Sequence, residues 1–568
     1  MPSLHFQNKR RNMDSKCMFC RGRNILCTGG NWVYKPKKEA KSKNEKNELT
    51  FIKLLSSFPE SLLLHIFQFL DLPSLLNSRR VCRTWKRIAE DRQLWKTTNF
   101  SCKRIIEKSW IFSLPKSVRD HASVMNLMWS SISVSAFRGI LKAFPKTEVL
   151  LLQNCRFSND GDVTKRTSSR QKFPSHLKVL DVRNVQDRWF DEYSFPAKFL
   201  CIEAIAFSQT LPNNWLSILS LSWMPNLRII HIQNNPCVSE AFLQGIIENS
   251  PSLQSINVQG CMNIHGEFIR IAVDELPHLR HIDVNSTRLE GRYLTRINWN
   301  KCKLESLSIS FCCKVTTNDL KAVLPRFVYL KHLQASFVGW GKSFCNDVVN
   351  HLVKIDSNLS IEYLDLQSTF HMTASALTRL CSRCPNLKNL RIGTILKTNE
   401  DVVNFLQSVP RISELSLQAG DCSYTAVQML QHVTNQSINL KSLYLYNVQF
   451  DLSERAQVQE ALENLFGALV KLENFFIGGY PHKERAEIEE LISTIAASMN
   501  ININTKRPRR VIPMHSGSFD DYLHRVISIP TYKAYGLRTA LQQTHDCQLF
   551  YQSGIQRMSS AGLLRQVI

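Results

Sequence analysis

One pattern, Leu-x-x-Leu-x-Leu-x-x-Cys/Asn, recurs along most of the 568-residue chain and limits its possible folds more than any other feature. Clear copies occupy residues 253–261 and 304–312, and further copies begin at Leu227, Leu387 and Leu440. Weaker copies begin at Ala122, Thr147, Leu177, Ile202, Leu279, Leu330, Ile361, Ile412 and Leu472. The fourteen copies mostly lie 25 or 26 residues apart, a period that indicates a solenoid of stacked units.

Each copy predicts a short strand, a turn and a helix. In the strand, the Leu-x-Leu leucines alternate with the x residues, so the two sets face opposite sides. An amphipathic run such as residues 239–248 precedes the next copy and predicts the helix. One unit cannot cover its own apolar side, so units must share a continuous core. The predicted fold class is α/β: a curved leucine-rich-repeat solenoid, or horseshoe, over residues 121–504, with parallel strands on the concave face.

Residues 57–95, which precede the repeats, carry apolar residues at helical spacing. Pro59 stands where a first helical turn tolerates proline, and three short helices are predicted, with a break at residues 71–74 and the last helix ending at Trp95. About 40 residues bury too little surface to fold comfortably alone, so one apolar face is expected to dock on a partner. The alternative is that these residues form only an ordinary helical core.

The order and spacing of these residues resemble an F-box. The matching positions are Phe58-Pro59-Glu60, Leu63, Ile66, Phe67, Leu70, Val81-Cys82, Trp85 and Leu94-Trp95, with Phe58 where the family usually has Leu. The resemblance implies a three-helix F-box over residues 51–98 that binds the Skp adaptor of cullin-RING ubiquitin ligases. It assigns the adaptor contact to Phe58, Pro59, Leu62, Ile66, Leu70, Leu75, Val81, Cys82 and Trp85. Residues 99–120 are predicted to form a helical connector to the repeats.

The repeats resemble the cysteine-containing type found in F-box proteins. Cys155, Cys261 and Cys312 occupy the turn position of their copies, and Cys384 precedes the proline of its copy. These positions favour a structural role for the thiols. Cys381 and Cys384 form a Cys-x-x-Cys pair, which is predicted to pack at the end of a repeat helix rather than to bind zinc or act in redox chemistry.

The residues between the two inward leucines of each strand form a column on the predicted concave face. From the first copy onward they are Asn126, Leu151, Asp181, Ala206, His231, Asn257, Asp283, Ser308, Gln334, Asp365, Arg391, Ser416, Tyr444 and Phe476. Aromatic residues and Arg are the usual interface anchors. The predicted substrate-binding residues are Tyr363, Arg391, Tyr444, Tyr446, Phe476 and Trp340, which lies between two glycines. The alternative for the terminal aromatic residues is packing as a cap.

The net charge of +24 is concentrated at the two ends of the chain. Residues 1–50 hold 12 Lys/Arg and 4 Asp/Glu, a net of +8, and are predicted to be a disordered basic segment. Residues 501–568 hold 9 and 3, a net of +6, and the tail from 505 onward does not continue the repeat. These ends predict either solvated tails or segments for nuclear import or acidic partners, so localisation is expected in the nucleus, the cytoplasm or both.

Several function classes find little support. The 17 cysteines are odd in number and scattered, which favours reduced thiols, and no apolar run is long enough to span a bilayer. Cys17, Cys20 and Cys27 supply only three of the four ligands that zinc normally requires. No catalytic motif, metal site or cofactor site is predicted. The basic residues cluster in the tails, which disfavours nucleic-acid binding by the repeats.

The combined interpretation is a non-catalytic substrate-recognition subunit of an SCF-type (Skp-cullin-F-box) E3 ubiquitin ligase. The F-box would hold the Skp adaptor and the cullin-RING core, and the repeats would hold a protein substrate for ubiquitination and degradation. The alternative is a non-ligase nuclear leucine-rich-repeat scaffold, whose F-box-like helices only dimerise or pack on the first repeats.

Overall fold

The structure is a computed structural model of the chain. It describes residues 58–70, 72–101, 116–158, 171–174, 176–185, 198–208, 213–354, 359–420, 422–436, 439–448, 450–478, 482–505 and 518–526, with short pieces at 26–28, 31–33, 104–105, 114 and 193–194. The basic runs 35–46 and 506–510, the pair Cys17 and Cys20, and most of the predicted disordered segment lie outside the described residues. Two compact units are present, residues 1–65 and residues 66–568.

The first unit contains a short hairpin and the start of a helix. Strands Leu26–Thr28 and Asn31–Val33 pair antiparallel. Helix α1, Glu60–Phe67, begins directly after Pro59, whose carbonyl accepts hydrogen bonds from the backbone N–H groups of Leu62 and Leu63. A proline at this position loses nothing, since the first N–H groups of a helix have no intrahelical partner.

The second unit begins with the end of α1 and continues with helices α2 (Leu72–Ser78), α3 (Arg83–Ala89) and α4 (Arg92–Trp95). The second predicted helix, which follows the break at residues 71–74 and continues through Val81 to Ala89, is therefore two helices in the structure. Cys82 has extended backbone angles that interrupt the helical path, and its Sγ accepts a hydrogen bond from the backbone N–H of Trp85 as the cap of α3. Asp91 caps α4 in the same way through the N–H of Gln93.

Within the described residues, the repeats form a sheet of fifteen strands in which each strand pairs in parallel with the next strand of that sheet along the chain. The strands are β1 (Thr97–Asn99), β2 (Val124–Asn126), β3 (Val149–Leu151), β4 (Val179–Val182), β5 (Ala204–Phe207), β6 (Ile229–Ile232), β7 (Ser255–Asn257), β8 (His281–Asp283), β9 (Ser306–Ser308), β10 (His332–Gln334), β11 (Tyr363–Leu366), β12 (Asn389–Ile392), β13 (Glu414–Gln418), β14 (Ser442–Tyr446) and β15 (Asn474–Gly478). Strands β2 to β15 correspond to the fourteen predicted copies, and the mixed α/β fold class with parallel repeat strands is confirmed.

Helices join most of the successive strands, and further helices follow the last strand. They are α5 (Lys116–Arg119), α6 (Val134–Ala143), α7 (Asn213–Leu221), α8 (Glu240–Asn249), α9 (Glu267–Glu275), α10 (Gly291–Thr295), α11 (Thr317–Val323), α12 (Asn346–Val353), α13 (Ala374–Ser382), α14 (Asn399–Ser408), α15 (Ala426–Gln436), α16 (Arg455–Ala468), α17 (His482–Ser498) and α18 (Phe519–Val526). In the described part of the chain, 3-10 helices lie at Trp299–Lys301, Leu324–Arg326 and Leu452–Glu454. Smaller sheets contain Arg104–Ile105, Ser131–Ser133 and Arg156–Ser158, and Gln171–Lys172 with Tyr193–Ser194.

Two features differ from the sequence-based outline. Strand β1 starts the sheet at Thr97, before the predicted start of the repeats, and the described part of the predicted connector contains strand Arg104–Ile105 as well as the single-turn helix α5. At the other end, helix α18 lies inside the tail for which no structure was predicted. The domain limits 51–98, 99–120, 121–504 and 505–568 remain predictions.

The core lies between the sheet and the helices. In a typical copy, Leu253, Ile256 and Val258 are all buried. The turn cysteine is buried beside them: Cys312 Sγ donates to the carbonyl of Val284, 3.2 Å away in the preceding copy. The same carbonyl accepts from the Thr287 hydroxyl at 2.7 Å, so the thiol is a second donor to a buried carbonyl of the turn.

Cys155 makes the equivalent contact with the carbonyl of Leu127 at 2.8 Å. Burial raises the pKa of Cys312 to about 12 and that of Cys261 to about 11, so both stay as thiols near neutral pH. Cys381 and Cys384 are also buried thiols. These surroundings are those of packing residues.

Candidate functional site

The register of the sheet places the predicted column residues side by side. Asn257 pairs with Asp283, Asp283 with Ser308, and Asp365 with Arg391. The predicted column is therefore confirmed as a continuous row, which runs from Asn126 to Phe476. We call the side of the sheet that carries this row, opposite to the inward leucines, the strand face.

A hydrogen-bonded network of neutral donors and one carboxylate occupies the middle of the strand face. Asn257 Nδ2 donates to Asp283 Oδ2 at 3.0 Å, and the backbone N–H of Asn285 donates to Asp283 Oδ1 at 3.0 Å. Asn285 Nδ2 in turn donates to Gln334 Oε1 at 3.1 Å. Burial raises the pKa of Asp283 to about 7, against the opposing effect of these donors.

Two of the predicted substrate-binding residues meet one strand further along. Arg391 Nη1 lies 3.6 Å from Asp365 Oδ2, and the Tyr363 hydroxyl donates to the same carboxylate at 3.4 Å. The Ser336 hydroxyl donates to its other oxygen. Tyr363 is only 3% exposed, and burial raises its pKa above the ordinary value. Arg391 is the half-buried member that stays in contact with solvent.

Three further predicted residues meet at the last strands. The rings of Tyr446 and Phe476 lie 5.6 Å apart, and Tyr446 is close enough to Arg391 to interact with its charge. Tyr444 and Tyr446 are half-buried, whereas Phe476, which pairs with Tyr444 on the next strand, is buried. Tyr444 and Tyr446 thus retain accessible ring surface, and their binding role remains a prediction.

Trp340, the sixth predicted residue, belongs to a separate group of rings at the turns that follow β9, β10 and β11. This aromatic cluster consists of Phe311, Phe337, Trp340 and Phe370. The Phe337 ring lies 5.4 Å from Phe311 and 6.1 Å from both Trp340 and Phe370. Trp340 is 61% exposed and Phe370 60% exposed, so the cluster presents an apolar surface to solvent.

The backbone at this cluster is strained. Phe311, Phe337 and Trp340 have φ values of 61°, 54° and 60°, in the left-handed region that costs a bulky residue about 1–2 kcal/mol. Gly341, at φ 77°, is required because a Cβ there would lie 2.6 Å from the Phe370 ring. The same left-handed turn occurs in other copies, as at Asn234 and Ser286, so the turn belongs to the repeat and only its aromatic side chains are particular to this cluster. Phe370 was not predicted, because nothing in its repeat signals that its ring reaches Phe337.

The F-box helices also present apolar residues to solvent. Leu62 and Ile66 on α1 are 42% and 38% exposed, and Phe69 and Val81 are 60% and 51% exposed. Of the other residues assigned to adaptor contact, those with accessible surface are Phe58, Pro59, Leu70, Cys82 and Trp85. Leu75 is buried at 5% exposure and serves the interior of the helices. Phe69, which was not predicted, follows α1 by two residues and is the most exposed of the group.

Trp85 has an internal contact as well. Its ring packs edge-on against Phe67 at 5.1 Å, while Trp95 Nε1 donates to the carbonyl of Ala89 at 2.6 Å. A change at Trp85 would therefore disturb the packing of the helices as well as their surface. The adaptor contacts themselves remain predictions.

Parts of the chain are similar in sequence to known proteins. The F-box-like family matches residues 55–101, which span α1 to α4. Human F-box/LRR-repeat protein 12 is 25% identical over 247 residues, which cover 42% of this chain and 73% of the relative. The chain therefore combines an F-box-like domain with leucine-rich repeats.

The chain also resembles part of mouse Lysine-specific demethylase 2B. They are 23% identical over 261 residues, which cover 45% of this chain but 18% of the demethylase. Among solved structures, a chain of the yeast Rad7 and Elc1 complex has a TM-score of 0.35 at 11% identity and covers 78% of this chain and 94% of its own length. A chain of the TLR13–ssRNA13 complex has a TM-score of 0.34 at 15% identity, over 66% and 58% of the two chains.

The described residues offer neither a group of metal ligands nor a membrane-spanning helix. Within the described residues, His, Cys, Asp and Glu do not gather in groups of three or more that could hold a metal ion. Among the same residues, every helix is too short or too polar to cross a membrane.

Proposed function

We propose that this protein is the substrate-recognition subunit of an SCF-type E3 ubiquitin ligase. The observation that carries the proposal is the F-box-like match over residues 55–101 directly before a long repeat sheet. An F-box implies a Skp-type adaptor as partner, and the sheet that follows supplies a surface for a second protein. The cullin-RING core would be recruited through the adaptor, and ubiquitin would be transferred to the second protein by the charged E2.

The adaptor-binding surface in this proposal consists of the exposed apolar residues of the F-box helices. Support comes from Ile66, Phe69 and Val81, which are large and exposed in a group of four short helices. Covering such side chains stabilises a complex by about 25 cal/mol per Å2 of apolar surface removed from water. Exposed apolar residues grouped in this way favour a protein partner over an isolated helical domain.

The substrate-binding surface in this proposal has two parts. The aromatic cluster around Trp340 supplies exposed rings. The half-buried side chains of Arg391, Tyr444 and Tyr446 form the second part, on the later strands of the sheet. Tyr, Trp and Arg are the residues that most often dominate binding energy. The protein itself would be non-catalytic: the match to the demethylase covers only 18% of that enzyme.

Co-purification tests the proposal directly. The full chain, expressed in cells, should recover the Skp adaptor and a cullin, and the double variant Phe58→Ala/Pro59→Ala should lose both. The matched control is Trp340→Ala, far along the chain, which should keep both partners. Full adaptor recovery by the double variant and also by Val81→Asp would reject the ligase function and favour the non-ligase scaffold.

A further inference from the structure

Five consecutive strands carry apolar residues on the strand face, where the later strands carry polar ones. At the first position of strands β2 to β6 these residues are Val124, Val149, Val179, Ala204 and Ile229, which we call the apolar stripe. The equivalent residues of the next strands are Ser255, His281, Ser306 and His332. All five members of the stripe are buried. An apolar row on this side of a sheet must be covered, because water would otherwise contact it along its whole length.

Helix α18 lies over the end of this row formed by β5 and β6. Phe519 and Leu523, four residues apart and so on one helix face, are each 1% exposed and share one apolar cluster with the stripe. The helix contacts strands β5 and β6 directly. Tyr522 packs at the edge of the same cluster, and its hydroxyl hydrogen-bonds the Glu203 carboxylate.

Arg183 fixes the position of the helix. Its guanidinium donates to Asp181 Oδ2 at 2.7 Å and to Asp520 Oδ1 at 2.7 Å, and it lies over the Phe519 ring at 5.1 Å. Asp181 is fully buried, whereas the Asp520 side chain is 52% exposed. The buried Asp181 carboxylate therefore holds the Arg183 guanidinium in place on the strand face. In that position the guanidinium can bind an acidic residue that directly follows an aromatic residue, as Asp520 follows Phe519.

We propose that the apolar stripe with Arg183 is a binding site for an amphipathic helix of a partner protein, and that α18 occupies this site in cis. The partner helix would carry the same pattern as α18. An aromatic residue would be followed at the next position by an acidic residue, three positions after the aromatic residue by a second aromatic residue, and four positions after it by a Leu. This is the spacing of Phe519, Asp520, Tyr522 and Leu523. Amphipathic helices bind apolar grooves through side chains at positions i, i+3 and i+4. The site is separate from the F-box helices and does not depend on the ligase function.

The size of α18 is what makes exchange physically reasonable. Its eight residues are too few for a stable helix in water, so its structure depends on its contacts with the sheet. A short segment of this kind opens more readily than the core. Because α18 belongs to the same chain as the sheet, a partner must exceed its effective concentration, which can reach the order of millimolar for linked modules. A partner helix would therefore bind weakly to the intact chain and more strongly once α18 is released.

The experiment uses the full chain and a fluorescent peptide that covers residues 515–526. We expect the peptide to bind the variant Phe519→Ser/Leu523→Ser at least ten-fold more tightly than it binds the unmodified chain. A second peptide that keeps only the Phe-Asp-x-Tyr-Leu pattern should bind the variant equally, and one with Asn in place of the Asp after Phe should bind less tightly. The matched control is Val470→Ala, at an exposed site outside the proposed binding surfaces, which should bind the peptide as the unmodified chain does.

A second variant guards against loss of folding. Asp520→Lys removes the ion pair at a half-exposed position without changing the buried residues, and it should also raise peptide affinity several-fold. Both variants should keep the circular dichroism spectrum of the unmodified chain. If they do and neither binds the peptide more tightly than that chain, α18 does not exchange with another helix and the proposal is wrong. Binding that is equal for pattern-keeping and scrambled peptides would overturn it as well.

Discussion

Arg183 and Asp520 are 337 positions apart in the chain, yet their side chains form an ion pair 2.7 Å long across the strand face. The same guanidinium contacts Asp181, whose side chain is fully buried. One arginine thus neutralises a carboxylate that belongs to the sheet and another that belongs to the C-terminal helix. The two pairs have different environments, so their removal should have different costs.

Replacing Arg183 should destabilise the protein far more than replacing Asp520. Arg183→Met leaves Asp181 buried without its cation, which should lower the free energy of unfolding by about 3–5 kcal/mol. Asp520→Asn removes a half-exposed partner and should cost about 1 kcal/mol or less. Urea denaturation followed by circular dichroism measures both values. Equal losses of unfolding free energy for the two variants would contradict the prediction that the buried Asp181 carboxylate needs the Arg183 guanidinium.

Exposed and buried residues of the F-box helices should separate adaptor binding from stability. Ile66→Ala and Val81→Ala truncate exposed side chains, so each should weaken adaptor binding by about 1–2 kcal/mol while the thermal midpoint stays unchanged. Leu75→Ala removes a buried side chain and should lower the free energy of unfolding by about 2–5 kcal/mol. Titration calorimetry with purified adaptor and thermal denaturation give the two readouts. The prediction fails if Val81→Ala lowers stability and leaves the adaptor affinity intact.

Substrate capture should depend on exposed rings of the repeat sheet. Trp340→Ala/Phe370→Ala removes the two most exposed members of the aromatic cluster, and Tyr444→Ala/Tyr446→Ala removes the half-buried pair at the sheet end. Each anchor in a desolvated contact is expected to contribute about 1–2 kcal/mol or more. Proximity labelling in cells, compared with the unmodified chain, would show which proteins are lost. Val470→Ala, at an exposed site outside both surfaces, is the control, and unchanged partner sets for both double variants would reject these surfaces.

The stability of the repeat sheet should fall as pH rises through the range in which Asp283 titrates. Burial raises the pKa of this carboxyl from 3.8 to about 7, so between about pH 4 and pH 7 the folded state holds a proton that the unfolded state has lost. The unfolding free energy should decrease with rising pH across that window and level off above it. Each unit of pKa difference corresponds to about 1.4 kcal/mol.

Asp283→Asn isolates this contribution. Its neutral amide should make the variant more stable, relative to the unmodified chain, at pH 8 than at pH 5, because only the carboxyl loses a proton across this range. Asp347→Asn, at an exposed carboxyl on α12, is the control. Parallel pH profiles for the unmodified chain and Asp283→Asn would show that Asp283 does not titrate in this range.

The basic ends are expected to direct nuclear import. Residues 35–46 and 506–510 are rich in Lys and Arg and carry few apolar residues. Each segment, fused to an inert cytosolic reporter, should move it to the nucleus, and Lys/Arg→Gln versions should not. A reporter that stays in the cytosol with both segments would limit the localisation to the cytoplasm.

The sequence alone determined the repeat, its period and the row of residues along the strand face. Strand geometry alternates side chains with a period of two, so Asn257, Asp283 and Ser308 had to share one side once their copies were aligned. The order of apolar residues in 57–95 was likewise enough to indicate an F-box, because helical spacing is a local property.

Only the tertiary structure decided which residues are covered. Leu75 and Val81 are both apolar residues of the F-box, yet one is buried and the other exposed, because burial depends on how short helices pack. Val124, Val149 and Ile229 carried a signal that their side of the sheet is covered, but nothing local identified the cover. The contact between Arg183 and Phe519 joins residues more than 300 positions apart, and a local pattern holds no information about such a pair.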